Sequence, residues 1–264
     1  MYGLGVNRLG VTNVSSSGFN PLSLFANGEQ GAWYDPSDLS SMKQLSDGTV
    51  DAVVDQPVGY IEDKSGNNST AIQATSNKRP TLRQSGSLYY LEFEGAQGLR
   101  TANTIDFSGT DSMSVFAGAR KDTDATANVA ELSNNSGGNE GSFRLSAIVG
   151  DQWRYASRGD STGLINTNAN NYVAPVTNVL TGLSDISDPF VIIRVDGVQK
   201  NSSTTSQGAG NYGNYPLNVG ARNNGGGFQL DGHIYSLIIR GASSSADEIA
   251  STEAYVAAET GVSL

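Results

Sequence analysis

The chain has 264 residues with 32 glycines, no cysteine and a formal net charge of −10, a length that suits one large β domain and a composition that excludes disulfides, zinc–thiolate sites and thiol chemistry. Charged residues make up only 16% and the basic ones are scattered, which argues against the clustered Lys and Arg that nucleic-acid phosphates require. No apolar run reaches the length of a signal-peptide core or a membrane span, so the expectation is a soluble protein made in a cytoplasm.

Residues 1–20 place Tyr2, Leu4, Val6, Leu9 and Val11 between glycines, followed by a serine run. Alternating apolar and small residues suit an extended arm, which needs either its own domain or a neighbouring subunit to hold it. Tyr2, Leu4, Val6 and Leu9 are the expected assembly anchor, set against another chain. The domain proper is expected over residues 21–264. It opens with a strand region over 21–30 and at Trp33-Tyr34, and one helical turn is expected near 39–45.

Between Trp33 and Arg100 short apolar runs stop repeatedly at Asp, Pro, Ser, Gly and Asn, residues that preset or stabilise turns. Within 89–94, Tyr89, Leu91 and Phe93 share one face while Tyr90, Glu92 and Glu94 share the other. Further strands are expected over 112–119, 129–132, 142–149, 152–157, 172–183 and 189–198, with a turn at 134–139. Asp196-Gly197 lies between apolar runs and predicts a type I′ hairpin. Strands over 215–220 and 228–239 precede a closing helix at 246–258. Ser244 or Ser245 caps that helix, Asp247 and Glu248 suit its positive end, and Gly261 stops it.

Four motifs occur in a fixed order: Trp33-Tyr34-Asp35-Pro36-Ser37-Asp38, Asp63-Lys64-Ser65-Gly66-Asn67, Arg79-Pro80-Thr81-Leu82 and Leu91-Glu92-Phe93-Glu94-Gly95. This order resembles the concanavalin A-like (laminin-G-like) jelly rolls of tailed-bacteriophage structural proteins, with Glu94 where that group usually has Asp. The resemblance covers about residues 21–264 and implies an all-β sandwich of two antiparallel sheets with a short C-terminal helix. It also implies a non-enzymatic virion protein, made in the host cytoplasm: a tail-tip or fibre-associated component presenting a glycan-binding jelly roll for host attachment. A capsid decoration protein is the alternative. The implied partners are other virion proteins through the arm, further copies of the chain in a homo-oligomer, and a host surface polysaccharide. Laminin-G-like domains often hold one calcium ion at a loop rim. Asp35, Asp38, Asp63 and Asp231 at strand ends leave a structural calcium open, and no other metal or cofactor is implied.

Glu92 and Glu94 stand at i and i+2 on one strand face, the arrangement some glycosidases use. Related enzymes show an E-x-D-x-E-like run, whereas here no third acid follows Glu94 and Gly95 comes next, so both are expected to be solvated carboxylates. His233, the single histidine, lacks partners for a metal trio or a triad and reads as a strand residue. Gly208-Ala209-Gly210-Asn211-Tyr212-Gly213 fits a dinucleotide-binding letter pattern, yet no helix follows it, so it reads as a loop. Glycan stacking is assigned to Trp153 and Tyr155 on one strand and to Tyr212 and Tyr215 beside a Gly/Asn-rich loop. The strand pair fits the core somewhat better than a surface platform, and Tyr212 is the preferred surface ring.

Overall fold

The computed structural model describes residues 18–134, 139–161 and 163–264. The anchor residues Tyr2, Leu4, Val6 and Leu9 lie outside the described residues.

Two antiparallel sheets face each other in a jelly-roll sandwich. One has eight strands, in the order Val198–Ser203, Phe190–Val195, Val176–Asp185, Ser112–Lys121, Asp231–Arg240, Leu88–Glu94 and Thr81–Ser85, with Gly31–Tyr34 pairing along the far half of Asp231–Arg240. The other has nine, in the order Ile165–Ala169, Gln152–Arg158, Ser142–Ile148, Ala127–Leu132, Leu217–Val219, Leu99–Thr101, Ala71–Ile72, Tyr60–Ile61 and Met42–Lys43. A ribbon of Ile105–Asp106 and Asn214–Tyr215 closes one end. The all-β expectation holds, and so does the two-sheet architecture.

Alternation explains the main core. Leu91 and Phe93, Val115, Ala117 and Ala119, Phe143 and Leu145, and Ile193 and Val195 all point between the sheets. A second apolar layer lies on the outer side of the eight-stranded sheet. There Phe116, Val179, Ile238 and Trp33 meet Val256 and Ala257 of the helix Ala246–Thr260 and Leu24 and Phe25 of a 3₁₀ turn. This second layer makes Ser112–Lys121 buried on both faces, so its sequence reads as a continuous apolar run. Gly118 lets the helix come close: a Cβ there would lie 2.1 Å from Thr260 Oγ1.

The sequence signals at the helix ends are realised. Ser245 and Glu248 form a reciprocal capping box, and Gly261 leaves the helix at φ 73°. Asp196 and Gly197 both take positive φ, 51° and 75°, as the type I′ hairpin demands.

One expectation fails and one strand was not expected. Residues 21–25 form a 3₁₀ turn, because Asn20 Oδ1 accepts from Leu22 N and Pro21 sits where a helical first turn tolerates it. The strand Ile165–Ala169 carried no sequence signal. It is a sheet edge whose inward Thr167 satisfies its hydroxyl on Tyr155 O at 3.2 Å, so it needs no apolar alternation.

Two of the four quoted motifs form one lock. Lys64 Nζ lies 2.8 Å from Asp35 and 2.9 Å from Asp38, and 4.6 Å from the Trp33 ring centroid. Asp63 Oδ1 accepts from Trp33 N and Ser65 N. Tyr255 of the helix donates to Asp35 at 3.3 Å and sets its ring edge-on to Trp33. The W-Y-D-P-S-D and D-K-S-G-N segments therefore hold each other and the helix, and their role is in the fold.

Candidate functional site

The predicted stacking rings are in the core. Trp153 and Tyr155 are fully buried, with Trp153 Nε1 donating to Asn178 Oδ1 at 2.9 Å and Tyr155 Oη bonded to Ser184 Oγ at 2.8 Å. Tyr212 is also buried, its hydroxyl 2.6 Å from both Ser157 and Ser184. Burial pushes its phenol up to about 12. The loop at 204–213 tucks this ring into the open end of the sandwich, where Phe143 meets it edge-on. Tyr215 is half-buried and packs on the main core from its ribbon. These positions supply no open platform. The G-x-G-x-x-G letters lie in the same loop with no helix after them, as read from the sequence.

The carboxylates are also accounted for. Glu92 faces out, with Arg83 Nε 2.6 Å from its Oε2, and Glu94 is exposed. Lys64 occupies the space between Asp35 and Asp38, Asp63 is filled by amides, and Asp231 stands apart, paired in register with Glu94. Among the described residues no three His, Cys, Asp or Glu side chains converge as metal ligands.

On the outer side of the eight-stranded sheet, beyond the helix, His233 stacks on Tyr90 with centroids 4.1 Å apart. Its Nδ1 meets Tyr235 Oη at 3.2 Å, and its Nε2 lies 3.6 Å from Asp122. Burial holds the imidazole below its ordinary 6.5, with Asp122 opposing and Arg120 assisting. The folded state therefore binds that proton less readily than the unfolded chain. His233 stabilises fully above the unfolded pKa, and the contribution is lost as pH falls below 6.5. Unfolding free energy measured between roughly pH 7 and 5 is expected to fall, and His233→Gln should flatten that slope.

The candidate binding face is the outer side of the nine-stranded sheet. Its strands carry Lys43, Arg100, Arg144, Arg154 and Arg158 but a single carboxylate, Glu131. Strand alternation turns Arg144 outward between Phe143 and Leu145, and turns Arg154 and Arg158 outward around Ala156. Arg144 is registered against Ala156, so Arg154 and Arg158 are its diagonal neighbours, about 7–8 Å away. Asn166 and Asn168 rise from the edge strand beside them, and Arg154 Nε donates to Asn168 Oδ1 at 2.8 Å.

Glu131 is spent within the protein. It is 0% exposed, takes Arg222 Nε at 2.9 Å and Nη2 at 3.0 Å, and accepts from Ser133 Oγ and Asn128 Nδ2. This fork pins the segment after Leu217–Val219 against the sheet, and the segment ends at Phe228. Phe228 is 36% exposed, the one aromatic residue among the described residues in the exposed class. Its backbone takes φ 47°, uncommon for a bulky residue, and its carbonyl accepts from Asn128 N at 2.8 Å. Arg222 lies 4.4 Å and Arg144 5.7 Å from its ring centroid. A flat ring thus sits at the rim of a field of guanidinium and amide donors.

Arg144 has no protein partner at Nε and makes no ion pair among the described residues. Burial holds its guanidinium below the ordinary arginine value, with Glu131 opposing and Arg222 and Arg154 adding to the fall. Arg154 shifts the same way through burial. Strand alternation over 142–158 could have shown this outward arginine set. Phe228 gave only a weak signal, a large ring after a glycine run.

No family model matches the chain, and no curated protein matches it. Solved structures match in fold. The binding domain of Paraclostridial Mosquitocidal Protein 1 is 13% identical over 74% of this chain and 49% of that one, with a TM-score of 0.54. The botulinum neurotoxin type G receptor-binding domain is 14% identical over 74% and 48%, with a TM-score of 0.53. The CBM40 of a Ruminococcus gnavus sialidase, bound to α2,3-sialyllactose, is 14% identical over 53% and 82%, with a TM-score of 0.43. The chain spans about half the length of the two toxin domains. The two toxin domains share the jelly-roll sandwich fold of this chain.

Proposed function

We propose that this chain is a non-enzymatic, glycan-binding jelly roll of a tailed-phage virion, presented at the tail tip or fibre for host attachment. The observation that carries the binding part is Phe228, an exposed ring held at positive φ over a sheet face of Arg and Asn donors. Strained backbone at a rim is a feature that function retains. A ring for the apolar face of a sugar, with amides and guanidinium groups for its hydroxyls, is what a glycan needs. The toxin neighbour described as a receptor-binding domain supports a binder. The virion setting rests on the four ordered motifs, and residues 1–20 supply the contact to other virion proteins in this reading.

Catalysis has no support in the placement of the acids. Arg83 occupies Glu92, and Glu94 is exposed beside Gly95, whereas a glycosidase needs two carboxyl groups facing one sugar, one kept protonated. Binding per domain is expected to be weak and to gain from several linked copies. The test is incubation of the full chain, and of particles that carry it, with host surface polysaccharide. Binding without chain shortening, weakened about tenfold or more in Phe228→Ala, is expected. Shortening that disappears in Glu92→Gln overturns the binder reading for an enzyme. Copy number separates the settings: a few per particle fits a tail, hundreds fit a capsid decoration.

A further inference from the structure

We infer that the outer face of the nine-stranded sheet selects acidic glycans, with the Arg144 guanidinium receiving a sugar carboxylate beside the Phe228 ring. The inference rests on the glycan-binding reading and names the ligand class for that site. The first ground is how this chain treats three other covered arginines. Arg194 meets Glu253 at 2.7 Å, Arg222 meets Glu131 at 2.9 Å, and Arg240 meets Glu29 at 2.8 Å. With 26 acidic residues against 16 basic ones, carboxylates are in surplus. Arg144 nonetheless has none, and Arg154 has only the neutral Asn168 amide.

A half-buried guanidinium without a counter-charge, next to others of the same sign, is costly for the protein alone. An arriving anion removes that cost. The second ground is the guanidinium itself: among the described residues Arg144 donates no hydrogen bond to the protein, and with Nε buried the Nη1–Nη2 edge is the one left for a ligand. A guanidinium edge offers two parallel N–H donors in one plane, a shape that matches a carboxylate bidentately. The third is placement. The Arg144 guanidinium carbon lies 5.7 Å from the Phe228 centroid, so a pyranose ring resting on the exposed part of Phe228 brings its carboxylate within reach of Arg144. Asn166, exposed on the edge strand, is available for hydroxyls further along the chain.

The test uses the full-length chain on an array of sialylated, uronate-containing, sulfated and neutral glycans. Each carboxylated glycan is paired with its methyl ester, which keeps the sugar and removes the charge. Carboxylated glycans are expected to bind, their esters to bind about tenfold or more weakly, and binding to fall as salt rises. Arg144→Gln should lose a similar factor while its Tm changes little, because no hydrogen bond or ion pair to the protein is broken and only the ring contact with Phe228 is lost. Arg144→Lys, which keeps the charge and loses the fork, should recover only part. Phe228→Ala should weaken every glycan that binds. Equal binding of acids and esters, wild-type binding by Arg144→Gln, or a signal on sulfated glycans alone overturns the ligand class and leaves the glycan reading in place. A large fall in Tm for Arg144→Gln shows the side chain to be structural and overturns the inference. No glycan signal, even from the assembled oligomer, overturns both.

Discussion

Replacing Arg194 with alanine is expected to destabilise the protein by about 3 to 5 kcal/mol. Glu253 sits on the buried side of the closing helix at 2% exposure, and its two oxygens are gripped by Arg194 Nε at 2.7 Å and Nη2 at 2.9 Å. Thr181 Oγ1 adds a bond at 2.8 Å from the neighbouring strand. Arginine also ties back to its own hairpin through Gly197 O. Without it the carboxylate remains covered with only a hydroxyl as partner. The helix would then loosen from Phe116, Val179 and Ile238, which it shields from water. Urea unfolding of wild type and variant measures the difference. The control is Arg194→Leu with Glu253→Leu, which removes both charges together. It is expected to recover most of the loss, since replacing a whole buried pair by apolar groups is often neutral. If the double variant is as unstable as the single one, geometry at this position matters more than charge.

The fold was legible because its signals are local and agree with one another. Asp196-Gly197 can adopt positive φ at both turn positions, and the chain uses them so. Ser245, Glu248 and Gly261 mark the helix by capping chemistry that acts within a few residues. Residues 21–25 misled because Pro and Asn suit a strand boundary and a 3₁₀ start equally well. The site was less legible, and the reason is burial. Alternation shows that Trp153 and Tyr155 share a face, but one sequence does not show which face meets the other sheet. The choice of that face sends the two rings into the core and Arg144, Arg154 and Arg158 outward together. Tyr212 looked exposed because its loop is polar. That loop is drawn inward by hydroxyl bonds to Ser157 and Ser184, partners 55 and 28 residues away.

Arg222→Ala is expected to lower both stability and glycan binding, which separates it from Arg144→Gln. Glu131 is 0% exposed, and Arg222 supplies its one charged partner, with Nε at 2.9 and 3.1 Å from the two oxygens and Nη2 at 3.0 Å. Asn128 and Ser133 remain after the substitution, but both are neutral donors. Leaving a carboxylate buried with neutral partners alone is expected to cost about 3 to 5 kcal/mol. The same guanidinium lies 4.4 Å from the Phe228 centroid and anchors the segment that holds the ring in place. Its removal should therefore free Phe228 even at temperatures where the variant is still folded, and binding should fall there by about as much as in Phe228→Ala. Arg222→Lys keeps a charge for Glu131 but not the planar fork, so intermediate stability and weak binding are expected. Melting curves and array binding at a temperature well below the variant's Tm check both effects. Wild-type binding by folded Arg222→Ala would show that Phe228 keeps its place without the ion pair, leaving Glu131–Arg222 a stability element alone.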